Sequence, residues 1–186
     1  LALLFIDLDN FKPVNDALGH AAGDILLEQL TSRLSEILRP NQYLTRFGGD
    51  EFLLLAPFTE GHNQLDKLAE TLIQQCATEF KILQNQVVIS ASIGIACAPK
   101  DGTGFKQLCR RADIAMYQAK QDGRNTYHYY DESLDKTSED KFKLLQLLRP
   151  ALIEEQFKLY YQPMVNLNSG EITTAEALLR WPQPDG

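Results

Sequence analysis

The chain has 186 residues, of which 44% are hydrophobic and 23% charged, so it can bury the core of one full-sized domain, or of one domain and part of another. Its 25 acidic and 18 basic residues give a formal net charge of -7, which argues against a broad positive face that binds a nucleic acid polymer. No apolar run reaches the ~18 residues of a membrane-spanning helix. Three cysteines without a CxxC spacing favour a reduced, cytosolic protein.

In chain order, the hydrophobic pattern predicts strands and helices that alternate through the first 130 residues. An apolar run at 1–8 predicts a strand buried on both faces, and a period near 3.6 predicts a helix from Asp24 that Pro40 ends. Two apolar runs on either side of Gly48-Gly49 indicate a β-hairpin. The other predicted elements are a short helix at 12–18, helices at 63–80 and 105–121, and strands at 86–98 and 126–130.

This order, β-α-α-β-β-α-β-α-β, predicts an α+β fold of ferredoxin-like type, with a mainly antiparallel sheet on which helices pack. The composition changes after Asp131, where ten residues contain five acids. A helix at 142–156 and strands at 157–162 and 172–181 are predicted beyond it. We therefore place a domain boundary near 131–140, followed by a tail too short for an ordinary domain.

Acidic residues stand at two predicted strand ends. Asp7 and Asp9 close the first strand and point to one face of it, since side chains alternate along a strand. Asp50 and Glu51 are expected at the hairpin turn, which a neighbouring position in the sheet would bring close to Asp7. Converging carboxylates indicate a hard divalent ion such as Mg²⁺. The alternative is that these acids are ordinary solvated turn residues.

Two further segments have both a structural and a functional interpretation. The Gly48-Gly49 pair lets a phosphate approach the backbone, although hairpins use such a pair routinely. Lys120 and Gly123 are typical of a helix C-terminus, and Lys120 and Arg124 could also point at phosphates. His20 alone is more typical of a loop than of a catalytic site.

Several long motifs follow one another in the first 130 residues. They are Phe5-Ile-Asp-Leu-Asp-Asn-Phe-Lys-Pro-Val-Asn-Asp16, Gly19-His20, Gly23-Asp24, Arg46-Phe-Gly-Gly-Asp-Glu-Phe52, Ser92-Ile-Gly-Ile95, Arg111-Ala-Asp-Ile-Ala-Met-Tyr-Gln-Ala-Lys120 and Gly123-Arg-Asn125. Together they resemble the GGDEF family of diguanylate cyclases, which join two GTP molecules into cyclic di-GMP. The resemblance implies a nucleotidyl-cyclase palm, a Mg²⁺ (or Mn²⁺) cofactor and a homodimer, since one domain holds one GTP.

The resemblance also implies roles for individual residues. Asp7, the carbonyl of Leu8 and Asp50 match metal ligands, Glu51 supports them, and Asp50 matches the acceptor of the 3′-hydroxyl proton. The positions that match nucleotide contacts are Asn15 and Asp24 at guanine, His20 near the nucleotide, Lys12 at the transition state, and Lys120 and Arg124 at the phosphates.

The tail resembles the opening of an EAL domain, the cyclic di-GMP phosphodiesterase. The matching segments are Tyr160-Tyr-Gln-Pro163 and Glu176-Ala-Leu-Leu-Arg-Trp181, in which Glu176 would be a Mg²⁺ ligand and Arg180 a dinucleotide contact. The expected organisation is a GGDEF domain at 1–130 that lacks its N-terminal part, a linker helix at 131–156 and an incomplete EAL domain at 157–186. A fragment that ends here is expected to lack phosphodiesterase activity.

Two departures from the family pattern stand out. The family's Asp-x-Leu-Thr-Gly-Leu-x-Asn-Arg block before the first strand is missing. The product-inhibition motif Arg-x-x-Asp reads Arg39-Pro-Asn-Gln42, so a neutral amide replaces its carboxylate.

Two functions remain open at this point. The first is a diguanylate cyclase with GTP as substrate and cyclic di-GMP as product, in a parent with an attached EAL domain. The expected location is cytoplasmic, and any membrane anchor of the parent would lie in its N-terminal regions. The second is a GTP-binding regulatory module that controls the EAL phosphodiesterase. The intact site residues favour the first, and the fusion to an EAL segment favours the second.

Overall fold

The computed structural model describes residues 1–59 and 63–182, without the side chains of 136–143, 145 and 149. Residues 183–186, the end of the expected EAL segment, lie outside it. The strands are β1 (Ala2–Asp9), β2 (Tyr43–Gly48), β3 (Glu51–Ala56), β4 (Phe80–Ile82), β5 (Asn85–Val87), β6 (Ser90–Cys97), β7 (Tyr127–Tyr129), β8 (Lys158–Val165) and β9 (Ile172–Arg180). The helices are α1 (Phe11–Leu18), α2 (His20–Ile37), α3 (Asn63–Ala77), α4 (Phe105–Gln121) and α5 (Glu132–Ile153). The chain forms two compact units, Leu1–Asp135 and Lys136–Gly186.

A five-stranded sheet in the order β2-β3-β1-β6-β7 organises the first unit. The central strand β1 runs antiparallel to both β3 and β6, and β7 joins the edge parallel to β6. The predicted fold, a mainly antiparallel sheet flanked by helices, is confirmed. Because β1 lies in the middle, its last residues end between two neighbouring strands.

Helices cover both faces of this sheet. Alternate side chains of β1, such as Leu4 and Ile6, join the core that α2 and α3 cover, whereas Leu3 and Phe5 pack with α4. The whole of β1 is buried, as its apolar sequence predicts. Gly94 in β6 allows α4 to lie close, since a Cβ at this position would be 1.9 Å from the backbone oxygen of Ala112.

The prediction of one helix to residue 80 and one strand over 86–98 was wrong in detail. The helix ends at Ala77, and β4 and β5 form a separate two-stranded hairpin before β6 begins. Phe80 and Ile82 are fully buried, so burial of two apolar residues holds this short strand against the core. Leu83 turns the chain with a φ of 56°. A pattern of local periodicity does not reveal such tertiary packing.

Two helices begin earlier than the pattern predicts. The second helix begins at His20 rather than Asp24, and α5 begins at Glu132, inside the acidic segment that we interpreted as a boundary. Asp131 accepts a hydrogen bond from the backbone N–H of Ser133 at 2.9 Å. Acids at a helix start cap free N–H groups and complement the helix dipole. The acids of this segment therefore favour the start of a helix.

The second unit contains the hairpin of β8 and β9, in which Gln162 pairs with Glu176. Nearly all side chains of both strands are exposed. Among the helices that the structure describes, we find none with the length and apolarity to cross a membrane.

Candidate functional site at the end of the central strand

The end of β1 lies beside the turn between β2 and β3. The backbone N–H of Leu8 donates to the carbonyl of Asp50 at 3.2 Å, and Asp7 lies opposite Glu51 in the register of β1 and β3. Two sequence motifs that are more than 40 residues apart thus meet at one sheet edge. Glu51 differs slightly from expectation, because it is the first residue of β3 and not part of the turn.

The glycine pair shapes this turn. Gly49 has a φ of 50°, in the left-handed region that favours glycine. The Nε of Arg46 donates to the Gly49 carbonyl at 2.9 Å and so fixes the turn from within the same motif.

Negative charge at this edge is only partly compensated. Asp7 is 7% exposed, and its burial raises the pKa of its carboxyl group, as do the nearby charges of Asp50 and Asp9. The ammonium of Lys120, 2.7 Å from Asp7 Oδ1, acts in the opposite direction. Burial also raises the pKa of Glu51, and the charge of Asp7 adds to this effect. A further cation at this edge would relieve repulsion among these groups.

These donors suit a hard divalent ion in chemistry, since the side chains of Asp7, Asp50 and Glu51 and the carbonyl of Leu8 all offer oxygen. Within residues 1–59 and 63–182, however, no three acidic, histidine or cysteine side chains lie close enough to form a ready metal site. The ammonium of Lys120 contacts Asp7, where a metal ion would otherwise neutralise it. A metal ion that binds Asp7 at this oxygen would therefore displace the Lys120 ammonium, and one or two carboxylates together with substrate phosphates commonly complete a Mg²⁺ site.

The residues expected at guanine lie on α1 and α2. Asn15 of α1 has a buried Oδ1 that accepts no hydrogen bond from the described residues. Gly23 of α2 makes room for it, because a Cβ at Gly23 would be 1.9 Å from that oxygen. Asp24 is exposed and lines a depression of about 370 Å³ together with Glu28. A buried acceptor of this kind is available to a hydrogen-bond donor of a ligand or of a water molecule.

Two other predicted residues lie on the surface of the same helices. Lys12 is exposed in the first turn of α1, and His20 is the exposed first residue of α2. Among the described residues, neither side chain forms a recorded hydrogen bond or ion pair, and their roles at the nucleotide stay predictions.

The end of α4 carries the predicted phosphate-binding residues. Gly123 follows the helix with a φ of 110°, as the C-terminal signal predicts. The next two residues, Arg124 and Asn125, also adopt left-handed conformations, with φ of 66° and 50°. This conformation costs roughly 1–3 kcal/mol for a residue such as arginine, so surrounding contacts must hold Arg124, whereas asparagine tolerates it better.

Asp9 supplies one such contact, which sequence reasoning missed. The whole residue is 2% exposed. Its Oδ2 accepts from the Ser90 hydroxyl at 2.7 Å and from the Asn125 N–H at 3.2 Å, and its Oδ1 accepts from the Ser92 hydroxyl at 2.8 Å. Arg124 Nε lies 3.9 Å from the same Oδ1. The alternation in Ser90-Ala-Ser92 was the only available signal, since it places both hydroxyls on one face of β6.

The altered inhibition motif forms a closed turn. Gln42 Oε1 accepts from the backbone N–H of Arg39 at 2.9 Å, and the Gln42 N–H donates to the Arg39 carbonyl at 2.9 Å. Both residues line a cavity of about 170 Å³ with Lys67 of α3. The amide oxygen that replaces the carboxylate is therefore occupied by a local hydrogen bond.

The remaining predicted metal ligand belongs to the second unit. Glu176 is exposed in β9, where it pairs in register with Gln162. Among the described residues, Glu176 belongs to no group of three acidic, histidine or cysteine side chains that could hold a metal ion.

Comparison with known proteins identifies two family matches. Residues 1–126 match the model described as "Diguanylate cyclase, GGDEF domain", and residues 146–186 match the EAL domain. The chain is 42% identical over 185 residues to the signaling protein YkoW of Bacillus subtilis. The aligned region is 99% of this chain and 23% of that protein. The chain is also 43% identical over 183 residues to MucR of Pseudomonas aeruginosa, a bifunctional diguanylate cyclase/cyclic di-GMP phosphodiesterase, with 98% and 27% covered. The chain thus spans about a quarter of these relatives.

Solved structures show the same fold. The GGDEF domain of YfiN from Pseudomonas aeruginosa has a TM-score of 0.70 at 35% identity, over 74% of this chain and 81% of that one. An EAL/GGDEF domain protein from M. capsulatus has a TM-score of 0.66 at 41% identity, over 70% and 84%. The active GGEEF domain of a diguanylate cyclase from Vibrio cholerae has a TM-score of 0.62 at 30% identity, over 70% and 83%.

Proposed function

Since the chain belongs to the diguanylate cyclase GGDEF domain family and continues into the start of an EAL domain, we propose that it is part of a cyclic di-GMP signalling protein. Its GGDEF domain condenses two GTP molecules into cyclic di-GMP with release of pyrophosphate. The observation that carries this proposal is the strand end, where buried Asp7 lies opposite Glu51 and the Leu8 N–H donates to the carbonyl of Asp50.

The proposed organisation has a GGDEF domain at 1–130, a linker helix at 131–156 and the start of an EAL domain from 157. In support, the family match ends at 126 and the second compact unit begins at Lys136. The EAL match itself begins at 146, within α5, so this helix is shared between linker and domain in our proposal.

GTP binds with guanine toward α1 and α2. The buried Asn15 Oδ1, which has no partner among the described residues, is suited to accept from the guanine base. Asp24 accepts from N1–H and the exocyclic amine, a pattern that adenine does not offer. His20 lies at the entrance, at the first residue of α2.

The phosphates bind at the strand end. Lys120 and Arg124 contact them from the end of α4, and GTP would compete with Asp7 for the Lys120 ammonium. Asp7, the Leu8 carbonyl, Asp50 and Glu51 would hold Mg²⁺ or Mn²⁺. When bound, such an ion neutralises phosphate charge and lowers the pKa of the attacking hydroxyl.

The chain's own residues then direct a nucleotidyl transfer. Asp50 accepts the proton of the 3′-hydroxyl, the 3′-oxygen forms a bond to the α-phosphorus of the second GTP, and the bond to pyrophosphate breaks. The same transfer in the opposite direction, from the 3′-oxygen of the second nucleotide to the α-phosphorus of the first, closes the ring and releases a second pyrophosphate. Lys12 stabilises the charge that develops on the phosphoryl oxygens. Because one domain holds one GTP, two domains face each other, and the active species is a homodimer.

The second candidate is a regulatory module that binds GTP without cyclising it. The ion pair between Lys120 and Asp7 favours it, because that contact satisfies the principal metal-binding carboxylate. One relative, PdeR of Escherichia coli, is named a cyclic di-GMP phosphodiesterase and is 37% identical over 185 residues. In this case the GGDEF domain would control the attached EAL domain.

Product analysis separates the two candidates. The full-length protein is incubated with GTP and Mg²⁺, and products are separated by chromatography. A Glu176→Gln background protects any cyclic product from the EAL domain, and Asp50→Asn in that background is the matched control. Cyclic di-GMP that disappears in the Asp50→Asn control supports the cyclase. GTP binding by calorimetry without any cyclic or linear dinucleotide supports the regulatory module and overturns the cyclase.

A further inference from the structure

Asp9 stands apart from the other acids at the end of β1. It lies on the same face as Asp7, yet both of its oxygens already accept hydrogen bonds from Ser90, Ser92 and the Asn125 N–H. These donors belong to β6 and to the segment after α4. A carboxylate that is surrounded in this way is unsuited to binding a metal ion or activating a hydroxyl group.

We propose that Asp9 is a positioning residue that holds the Arg124–Asn125 segment in the conformation in which Arg124 binds the phosphates of GTP. The inference rests on the proposed function, because it assigns Asp9 a task only if Arg124 contacts the nucleotide. Ser90 and Ser92 orient the carboxylate through their hydroxyl groups. We call the contacts of Asp9 with Ser90, Ser92 and the Asn125 N–H the latch.

The backbone of the segment explains why a latch is needed. Arg124 and Asn125 both have positive φ values, a conformation that disfavours arginine, although asparagine adopts it more readily. The Arg124 N–H is held by the Ala119 carbonyl at 3.0 Å, a bond that ends the helix. The bond from the Asn125 N–H to Asp9 is the recorded contact that joins the following residue to the central strand. The Thr126 carbonyl accepts from the Ile93 N–H at 3.0 Å and ties the next residue to β6. Without the bond to Asp9, the backbone between Arg124 and Thr126 loses its recorded link to β1, and the left-handed conformation of Arg124 is less well held.

The charge of Asp9 also directs Arg124. At 3.9 Å the Nε lies close enough to be attracted but too far for a strong hydrogen bond, and about half of the side chain, 53%, is exposed. The guanidinium is therefore oriented toward the strand end while most of its donors remain available. Such a group loses less freedom when it binds a phosphate than an unrestrained arginine does.

Calorimetric titration of the full-length protein tests the proposal. The ligands are 3′-deoxy-GTP, which lacks the attacking hydroxyl, and guanosine, which lacks the phosphates. Asp9→Asn keeps the shape of the side chain, but its amide has one acceptor oxygen, whereas both carboxylate oxygens of Asp9 accept hydrogen bonds. We expect this variant to bind 3′-deoxy-GTP about tenfold more weakly, in line with the loss of a charge-assisted hydrogen bond. Guanosine binding should stay within about twofold, because the latch acts on the phosphate end.

The matched control is Asp101→Asn. Asp101 is also a buried aspartate, 4% exposed, and accepts a backbone hydrogen bond from Cys97 at the opposite end of β6. This substitution lowers general stability without touching the latch, so its affinity for 3′-deoxy-GTP should equal that of the wild type. Equal weakening in both variants would reduce Asp9 to a structural residue and overturn the proposal.

A double-mutant cycle separates the latch from the proposed function. Arg124→Ala should itself weaken 3′-deoxy-GTP binding, and Asp9→Asn should then add no more than about twofold in the Arg124→Ala background. If Arg124→Ala has no effect, the proposed phosphate contact is wrong. If Arg124→Ala weakens binding and Asp9→Asn does not, or if the two effects are additive, the latch is wrong while the proposed function survives.

Discussion

A buried aspartate lies beside each end of β6, Asp9 at the start and Asp101 at the end. The two differ in how far along the sequence their hydrogen-bond partners lie. At the site, Asp9 receives a backbone hydrogen bond from Asn125, 116 positions away, and hydroxyl bonds from two serines of β6. At the other end, Asp101 receives one from Cys97, four positions away. The local bond shapes one turn, whereas the long-range bonds join three elements. Burial alone therefore does not distinguish a residue of the site from a residue of the scaffold.

The largest expected effect is on product formation. It tests the contrast between the end of β6 beside the proposed site and the opposite end, where Asp101 lies. Asp50→Asn should lower cyclic di-GMP formation at least about a hundredfold, since it removes the proposed proton acceptor. The free energy of unfolding should change by less than about 0.5 kcal/mol, because the turn is partly solvated. Product chromatography and thermal unfolding measure the two quantities.

Asp101→Asn is the converse variant. It should retain the specific activity of the folded protein and lose roughly 1–3 kcal/mol of stability, because a buried N–H loses a charged acceptor. Normal turnover in the Asp50→Asn protein would show that the assigned role is wrong.

The same difference in range explains what the sequence could predict. The strand β1, the hairpin around Gly48-Gly49 and the end of α4 at Gly123 follow from local patterns, and the antiparallel pairing brought Asp50 near Asp7 as expected. The β4–β5 hairpin was missed because it depends on where Phe80 packs.

Contacts between distant segments were the other omission. The sequence predicted that Lys120 contacts the phosphates, but it did not predict the ion pair of Lys120 with Asp7. It also grouped Asp9 with the acids that were expected to converge on a metal ion, because strand alternation gives the face of a side chain and not its partners. Only the fold shows that Ser92 and Asn125 occupy its oxygens.

Guanine selectivity provides the next largest effect and extends the comparison to α2. Asp24→Ala should weaken GTP binding by roughly 1–3 kcal/mol, since the N1–H and amino group lose their acceptor. ATP binding should change much less. Glu28→Ala, one helical turn further and lining the same depression, is the matched control and should leave the GTP/ATP ratio unchanged. Equal weakening of both nucleotides by Asp24→Ala would contradict the assignment.

A smaller effect is expected at the turn that Arg39 and Gln42 close. The Gln42 amide is already bonded to the Arg39 N–H and lacks the charge of an aspartate. A hydrogen bond to a charged group is stronger by about 1 kcal/mol, so Gln42→Asp should bind cyclic di-GMP about fivefold to tenfold more tightly than the wild type. Calorimetry with Asn41→Asp, which adds the same charge to the same turn, controls for charge alone. Tight wild-type binding that Arg39→Ala abolishes would show that the site functions without its carboxylate.

The smallest expected effect is on stability, because the negative charges of the acids at the end of β1 oppose folding. Burial and the charge of Asp7 raise the pKa of Glu51 above its ordinary value, so the folded state binds a proton more readily there than the unfolded state does. At neutral pH the ionised Glu51 therefore opposes folding, and this penalty disappears as the pH falls below the folded-state pKa. In metal-free buffer at pH 7, Glu51→Gln should raise the midpoint of thermal unfolding by about 1–3 °C. The gain should vanish in acid, where the wild-type carboxyl is protonated.

Magnesium sharpens the same measurement. A divalent ion that binds these carboxylates should raise the wild-type midpoint and narrow the difference from Glu51→Gln, because it neutralises the repulsion that the substitution removes. Glu36→Gln, at an exposed position of α2, controls for the loss of one negative charge and should leave the midpoint and its response to magnesium unchanged. If Glu51→Gln lowers the midpoint in metal-free buffer, the ionised Glu51 stabilises the folded strand end. The acids would then form a structural cluster whose negative charge Lys120 neutralises. Like the hydrogen bond of Asp101 to the Cys97 N–H, this cluster would serve the fold, and the electrostatic basis for a metal site at this edge would be lost.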